Sequence, residues 1–246
     1  MTGLAAFLVS AIMLVPAFLV AIPAHELGHA VAAYLLGDRS VRYFGYFTLK
    51  PRRFLDPLGA IAVFVALVGW GRRVPIQSNR ISTIGQKVLY QLGGPVANLL
   101  VGLVLGLILR VVLAALPGSS AVSLLVGPSP TSPLGVAAFL LYAVWFLNLS
   151  IFAFQLLPIP GLDGWEIVEA IFRNRNARFF FNVSTRRREI WIGAIVLIFL
   201  FQLFQGINLL GLVMSPFYAP ASLISVGHSC TGYRISGFNG LYPCLP

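Results

Sequence analysis

Long apolar runs constrain what this chain can fold into more than any other feature. A helix needs about 20 largely apolar residues to cross the hydrocarbon core of a membrane. Soluble domains carry about 25% charged residues, whereas only 10% of the residues are charged here. The sequence therefore predicts an all-α polytopic membrane protein in contact with the lipid bilayer. About four transmembrane helices are expected, over residues 4–36, 88–116, 134–157 and 189–214.

A fifth apolar run, Leu58–Trp70, has only about 13 residues and is too short for an ordinary crossing. If it crossed the membrane fully, the basic residues on its two sides would lie on opposite faces of the bilayer. The positive-inside rule favours a re-entrant or tilted segment, with both basic clusters in the cytoplasm. The clusters are Arg39, Arg42, Lys50, Arg52 and Arg53 before the run, and Arg72, Arg73, Arg80 and Lys87 after it.

The other loops predict the same orientation. Residues 117–133 contain no charge, whereas residues 165–188 contain six arginines. The rule then places the N-terminus and the C-terminal tail outside a multi-pass chain in the cell membrane. Because the formal net charge of +10 lies in loops between apolar runs, we expect no nucleic-acid partner.

Two segments outside the helices have their own character. Aromatic and β-branched residues surround a glycine in Val41–Leu49, which predicts a short strand or hairpin. Residues 216–246 are expected to form an extramembrane tail after a membrane domain over residues 1–215. The chain's two cysteines, Cys230 and Cys244, lie in this tail. They could form a disulfide if the tail is external, or remain free thiols.

Two histidines lie four residues apart in the first apolar run, in the segment His25-Glu26-Leu27-Gly28-His29. Residues at this spacing share one face of a helix, so both imidazoles can offer a nitrogen to one tetrahedral metal ion. Glu26 would take a proton from the water that the metal acidifies. The alternative is a set of ordinary polar residues near a helix end. Ionisable residues in a membrane helix are costly, however, and indicate a functional site. We therefore expect one zinc ion per chain.

A hydrolytic zinc site has three protein ligands and one position for water. Asp163 follows a long apolar run and the Pro-rich segment Leu157–Gly164, where proline ends the helix and the chain must unwind. The charge pattern places it at the same cytoplasmic depth as the two histidines, whereas His228 lies in the tail predicted to be external. Asp163 is therefore a candidate ligand. The residues alone support equally well a cap for a helix that begins near Trp165.

Seven short motifs follow one another between residues 25 and 164. They are His25-Glu26-Leu27-Gly28-His29-Ala30, Leu36-Gly37-Asp38, Thr48-Leu49-Lys50-Pro51, Asp56-Pro57-Leu58-Gly59, Val74-Pro75-Ile76, Gly93-Gly94-Pro95-Val96-Ala97-Asn98 and Phe154-Gln155-Leu156-Leu157-Pro158-Ile159-Pro160-Gly161-Leu162-Asp163-Gly164. Their order resembles that of the site-2 proteases, in particular the short prokaryotic members. The resemblance implies an intramembrane zinc metalloprotease whose third zinc ligand is Asp163. It also implies that the helix carrying Gly94, Pro95 and Asn98 packs beside the zinc helix.

Two positions depart from the family pattern. Lys50 stands where the family usually has Asn, and Gln155 stands where an Asn usually precedes the ligand Asp by eight residues. In the family that Asn is thought to hold the substrate carbonyl or its oxyanion, and loss of one such donor costs about 100- to 1,000-fold in rate. Gln155 keeps an amide donor and is the second candidate catalytic residue after Glu26. Asn148 could orient it, or Asn148 and Asn98 could be interhelical hydrogen-bonding residues.

The expected function is hydrolysis of peptide bonds within or near the transmembrane helices of a membrane-protein substrate, as in regulated intramembrane proteolysis. The alternative is a catalytically impaired relative that binds membrane helices without cleaving them, because Gln155 replaces the usual Asn. Transport is disfavoured, since transporters with broken helices usually show inverted repeats and none is visible in the sequence.

Overall fold

A computed structural model describes residues 3–48, 50–56, 71–77, 79–114, 133–205 and 209–227. Within these ranges the chain is helical and contains no strand longer than an isolated bridge, as predicted for an all-α protein. The helices are α1 (Gly3–Leu35), α2 (Ser40–Tyr43), α3 (Ile84–Ala114), α4 (Pro133–Gln155), α5 (Asp163–Phe172), α6 (Ala177–Thr185), α7 (Arg187–Gln205) and α8 (Leu209–Val226), with a 3₁₀ turn at Pro51–Arg53.

Three helices in the described part of the chain are long and apolar enough to cross a membrane. They are α1 over Val15–Leu35, α3 over Ile84–Val112 and α4 over Val136–Gln155, and they match the first three predicted spans. The fourth predicted span, residues 189–214, covers most of α7 and the start of α8, and residues 206–208 between them lie outside the described part of the chain. Neither helix is among the three, and α8 is a shorter apolar helix over Gly211–Val226.

Helix α8, the last one in the described part of the chain, packs against α3 and α4. Its Met214 and Tyr218 are buried in the same apolar cluster as Trp145 of α4. The predicted boundary between membrane domain and tail, after residue 215, falls inside this helix. Residues 216–226 therefore pack with the helical bundle. The rest of the predicted tail, with both cysteines, and the predicted re-entrant run Leu58–Trp70 lie outside the described residues.

The core of the molecule is formed by α1, α3 and α4, which pack against one another. Gly28 of α1 and Gly93 of α3 meet backbone to backbone. A Cβ at Gly93 would lie 2.7 Å from the Gly28 carbonyl oxygen, and a Cβ at Gly28 would overlap the Gly93 carbonyl. Small residues let membrane helices approach closely, so this contact brings the polar segment of α1 against α3.

The strand or hairpin predicted at Val41–Leu49 is not formed over the described residues 41–48. Residues Ser40–Tyr43 form the single helical turn α2, and Gly45 turns the chain with a φ of +73°. The physical reason is local hydrogen bonding. The Asp38 carboxylate accepts bonds from the backbone N–H and the hydroxyl of Ser40, which stabilises a turn in place of an extended strand.

Candidate metal centre

Helix α1 carries three buried polar residues into the interior of the bundle. His25, Glu26 and His29 are 3%, 4% and 5% exposed. The helical period places both imidazoles on one face, and their Nε2 atoms lie 3.2 Å apart. The sequence prediction that these side chains share one site agrees with this placement.

Asp163 reaches the same point from the first turn of α5. Gly161, with a φ of +114°, lets the chain reverse after the Pro-rich segment, and Leu162 is the residue that precedes α5. The Asp163 Oδ2 atom lies 3.1 Å from Nε2 of His25 and 3.1 Å from Nε2 of His29. The carboxylate thus points towards the two histidines, and no side-chain hydrogen bond caps the helix.

The charge state of Asp163 suits a metal ligand. Burial alone would raise the pKa of its carboxyl. The adjacent His29 and His25 outweigh burial and hold the pKa well below its ordinary value. The lowered pKa favours the ionised carboxylate, which is the form that binds metal ions.

The three candidate ligand atoms fit one tetrahedral ion. They form a nearly equilateral triangle with edges of 3.1, 3.1 and 3.2 Å. Zinc bonds of about 2.0–2.1 Å at tetrahedral angles put ligand atoms roughly 3.3 Å apart. Among the described residues, Glu26 Oε2 is a buried oxygen without a hydrogen-bond partner, so the site also has one free base beside the ligands. His25, His29 and Asp163 could therefore hold zinc while Glu26 stays free.

Both histidines are oriented through their second ring nitrogen. His29 Nδ1 lies 2.9 Å from the carbonyl oxygen of Tyr90, and His25 Nδ1 lies 2.7 Å from Oδ1 of Asn98. Both partners are on α3. Sequence reasoning did not identify these contacts, although the Gly-Gly-Pro-Val-Ala-Asn segment and its implied packing beside α1 were a signal for them.

Asn148 had two possible roles: to orient Gln155, or to hydrogen-bond between helices with Asn98. In the described part of the chain it makes no hydrogen bond to Gln155. Instead its Oδ1 accepts a hydrogen bond of 2.8 Å from Asn98 Nδ2. The interhelical alternative for Asn98 and Asn148 therefore agrees with the structure.

Gln155 lies at the end of α4 and lines a cavity of about 370 Å³ together with the three ligand residues and Glu26. Its Oε1 atom accepts a long hydrogen bond, 3.4 Å, from the backbone N–H of Asp163. This contact leaves the Nε2 amide as the group that could donate to a molecule in the cavity.

Two arginines that line the same cavity, Arg73 and Arg187 of α7, form ion pairs with one carboxylate. Glu166 of α5 lies 3.4 Å from Arg73 and 2.7 Å from Arg187. Arg73 also donates a hydrogen bond of 2.7 Å to the carbonyl oxygen of Gly161. In the sequence these arginines indicate only the orientation in the membrane, whereas the structure joins them around the loop that precedes Asp163.

Comparison with known proteins identifies one matching family and several relatives. The family model described as "Peptidase family M50" matches residues 13–202. The "Putative zinc metalloprotease YwhC" of Bacillus subtilis is 34% identical over 158 residues, which cover 63% of this chain and 67% of that protein. The "Putative zinc metalloprotease Rip2" of Mycobacterium tuberculosis is 33% identical over 172 residues, which cover 68% of this chain and 60% of that protein. The alignments thus leave about a third or more of each relative unmatched. No solved structure matches the chain.

Proposed function

Since the chain belongs to peptidase family M50, the site-2 protease family of zinc metalloproteases, we propose that it hydrolyses peptide bonds within or near transmembrane helices of membrane-protein substrates. One observation carries this proposal. Two histidines and a glutamate are buried on a helix that is long and apolar enough to cross a membrane, and Asp163 meets the two histidines there. Regulated intramembrane proteolysis is the process in which such cleavage would act.

We assign His25, His29 and Asp163 as the three ligands of one zinc ion. When bound, zinc supplies Lewis acidity, which polarises the scissile carbonyl and lowers the pKa of water. The ligands come from two different helices, and His29 and Asp163 are 134 residues apart in the sequence. The site is therefore complete only when Asp163, at the start of α5, lies beside the two histidines of α1.

Glu26 is the proposed catalytic base. Its free Oε2 atom would remove a proton from the attacking water while the water oxygen bonds to the scissile carbonyl carbon. The same carboxyl would then deliver that proton to the leaving nitrogen as the C–N bond breaks. The position favours this role because, among the described residues, the Glu26 Oε2 atom has no hydrogen-bond partner that would compete for the proton.

Gln155 is the proposed donor to the substrate carbonyl oxygen. Its Oε1 atom is oriented by the Asp163 N–H, so the Nε2 amide is available to stabilise negative charge on that oxygen. A substrate helix must unwind before this contact can form, since its backbone groups are otherwise hydrogen-bonded within the helix.

The Glu26→Gln variant tests the proposal. We expect it to bind zinc as the natural protein does but to lose cleavage, because an amide cannot accept the proton from water. The measurement is a mass-spectrometric comparison of membrane-protein fragments in cells that express either form. The control is His25→Ala, which should lose zinc and cleavage together. Undiminished fragments with Glu26→Gln would refute the assignment.

The second candidate function is binding of membrane helices without cleavage. The natural Gln155, where the family usually has Asn, favours this candidate. The two candidates share the zinc ligands, so zinc content does not separate them. The Gln155→Asn variant does. If it cleaves membrane proteins that the natural protein leaves intact, the non-catalytic function is correct.

A further inference from the structure

A chain of buried amides connects the proposed metal centre to two neighbouring helices. Asn98 of α3 and Asn148 of α4 are both 0% exposed. We propose that Asn98, oriented by Asn148, is a positioning residue that sets the tautomer and ring orientation of His25 for zinc binding. The inference rests on the proposed function only in that His25 is taken as a zinc ligand.

Two backbone carbonyls determine how the asparagine amides are oriented. The carbonyl of Val144 can only accept, and it lies 2.7 Å from Asn148, so this atom of Asn148 must be the Nδ2 donor. Asn148 therefore presents its Oδ1 atom to Asn98. The carbonyl of Ala21 also can only accept, and it lies 2.9 Å from Asn98 Nδ2. Both N–H groups of Asn98 are thus used, one by Ala21 and one by Asn148.

The remaining atom of Asn98 is its Oδ1 acceptor, which faces Nδ1 of His25 at 2.7 Å. A carbonyl oxygen can bond only to a protonated ring nitrogen, so the proton of the neutral imidazole is held on Nδ1. The lone pair is then on Nε2, the atom that faces His29 and Asp163. Partners of this kind typically change metal affinity by about 10- to 100-fold.

His29 reaches the same state by a simpler route. Its Nδ1 atom lies 2.9 Å from the Tyr90 backbone carbonyl, a partner that no side-chain substitution can remove. His25 differs because its partner is a side chain whose own orientation depends on Asn148. The asparagine pair is therefore the variable part of the ligand support, and His25 is the ligand that it controls.

A purely structural role makes a different prediction. Asparagines between membrane helices also stabilise helix packing, and in that case a substitution would lower stability without changing zinc affinity. Asn98→Leu and Asn98→Asp separate the two roles. Both remove the amide donors to Ala21 and Asn148, but only Asp keeps an oxygen acceptor for the His25 ring.

The experiment uses the full chain purified in detergent, with zinc affinity measured by competition with a chromophoric chelator. Thermal stability of the zinc-free protein is recorded in parallel. We expect both variants to be less stable than the natural protein. Zinc affinity should fall by about 10- to 100-fold in Asn98→Leu and stay within about threefold of the natural value in Asn98→Asp, because a carboxylate supports a zinc-bound histidine well. Unchanged zinc affinity in Asn98→Leu, or an equal loss in both variants, overturns the inference.

Asn148→Leu provides a second test that leaves Asn98 in place and applies even if Asn98→Leu does not fold. It removes one of the two anchors of the Asn98 amide, so zinc affinity should fall, but less than in Asn98→Leu. Zinc affinity equal to that of the natural protein in Asn148→Leu overturns the role of the pair.

Cobalt substitution adds a spectroscopic measurement, since the visible absorption of a tetrahedral site should change in Asn98→Leu and persist in Asn98→Asp. No peptide cleavage is measured, so failure of the proteolytic function would not be mistaken for failure of this inference.

Discussion

Gly94 determines how closely α3 approaches the ligand atoms of the proposed centre. A Cβ at this position would lie 2.6 Å from Cε1 and 2.7 Å from Nε2 of His25, and it would overlap Nε2 of His29. Neither ring can swing away freely, because each is held by a hydrogen bond through Nδ1. The absence of a side chain at Gly94 therefore leaves the ligand atoms accessible to an ion.

Gly94→Ala should disrupt the ligand triangle without changing any ligand. We expect zinc affinity to fall by at least about tenfold, the lower end of what outer-shell changes produce. The measurement is chelator competition on the purified protein. Gly85→Ala is the matched control in the same helix, since a Cβ there meets no atom within 4 Å, and it should leave zinc affinity unchanged. Natural affinity in Gly94→Ala would contradict this account of the packing.

The residues of the centre differ in how far the sequence could predict them. The His25 and His29 pair follows from the helical period alone, and Glu26 follows from the chemistry of that motif. Asp163 required the family resemblance, because the residues alone left a helix cap equally possible. Asn98 could not be assigned, since its contact with His25 depends on how α1 and α3 are rotated about their own axes.

At the scale of elements, Asp38 joins the end of α1 to a distant segment. The residue is 1% exposed, and its Oδ2 atom accepts a hydrogen bond of 2.8 Å from the backbone N–H of Gln77. Its Oδ1 atom accepts from the backbone N–H and the hydroxyl of Ser40. One carboxylate thus holds α2 and the segment over residues 71–77 beside α1. The strand predicted at Val41–Leu49 was wrong because residue propensities take no account of hydrogen bonds to a neighbouring side chain such as Asp38.

The stability contributed by Asp38 should depend on pH. Burial alone would raise the pKa of its carboxyl, but the hydrogen bonds from Ser40 and Gln77 outweigh burial and lower the pKa below its ordinary value. A lowered pKa contributes stability that is fully present above the unfolded-state value of about 3.9 and is lost as pH falls through the folded-state value. The contribution should therefore be constant near neutrality and disappear below about pH 4.

Asp38→Asn tests this dependence. The amide of Asn would place a donor against the Gln77 or Ser40 N–H, so we expect a loss of about 1–3 kcal/mol at pH 7. The difference in melting temperature between variant and natural protein should narrow as pH drops from about 5 to 3. Glu189→Gln makes the same chemical change at an exposed carboxyl and should cause little change at any pH. A difference for Asp38→Asn that does not change with pH would contradict the hydrogen-bonding account.

At the scale of the whole molecule, the sequence predicted the three central helices well because a long apolar run admits few alternatives in a membrane. The fourth predicted span, residues 189–214, stays a prediction, because α7 ends at Gln205, α8 begins at Leu209 and residues 206–208 lie outside the described part of the chain. Composition did not reveal that α8 extends past residue 215 to pack on α3 and α4.

The orientation of the chain in the membrane still rests on its charges, and cysteine labelling can test it. In a Cys230→Ser, Cys244→Ser background, single cysteines replace Tyr43, which is 88% exposed, and Asn79, which is also exposed. These two positions lie on opposite sides of the run Leu58–Trp70. If the run is re-entrant, both cysteines face the cytoplasm, and a membrane-impermeant maleimide should label them only after the cells are permeabilised.

Ser119→Cys, in the uncharged segment 117–133, is the control and should be labelled in intact cells. Labelling of only one of the Tyr43→Cys and Asn79→Cys proteins in intact cells would mean that Leu58–Trp70 crosses the membrane. One of the two basic clusters would then face outward, against the positive-inside rule.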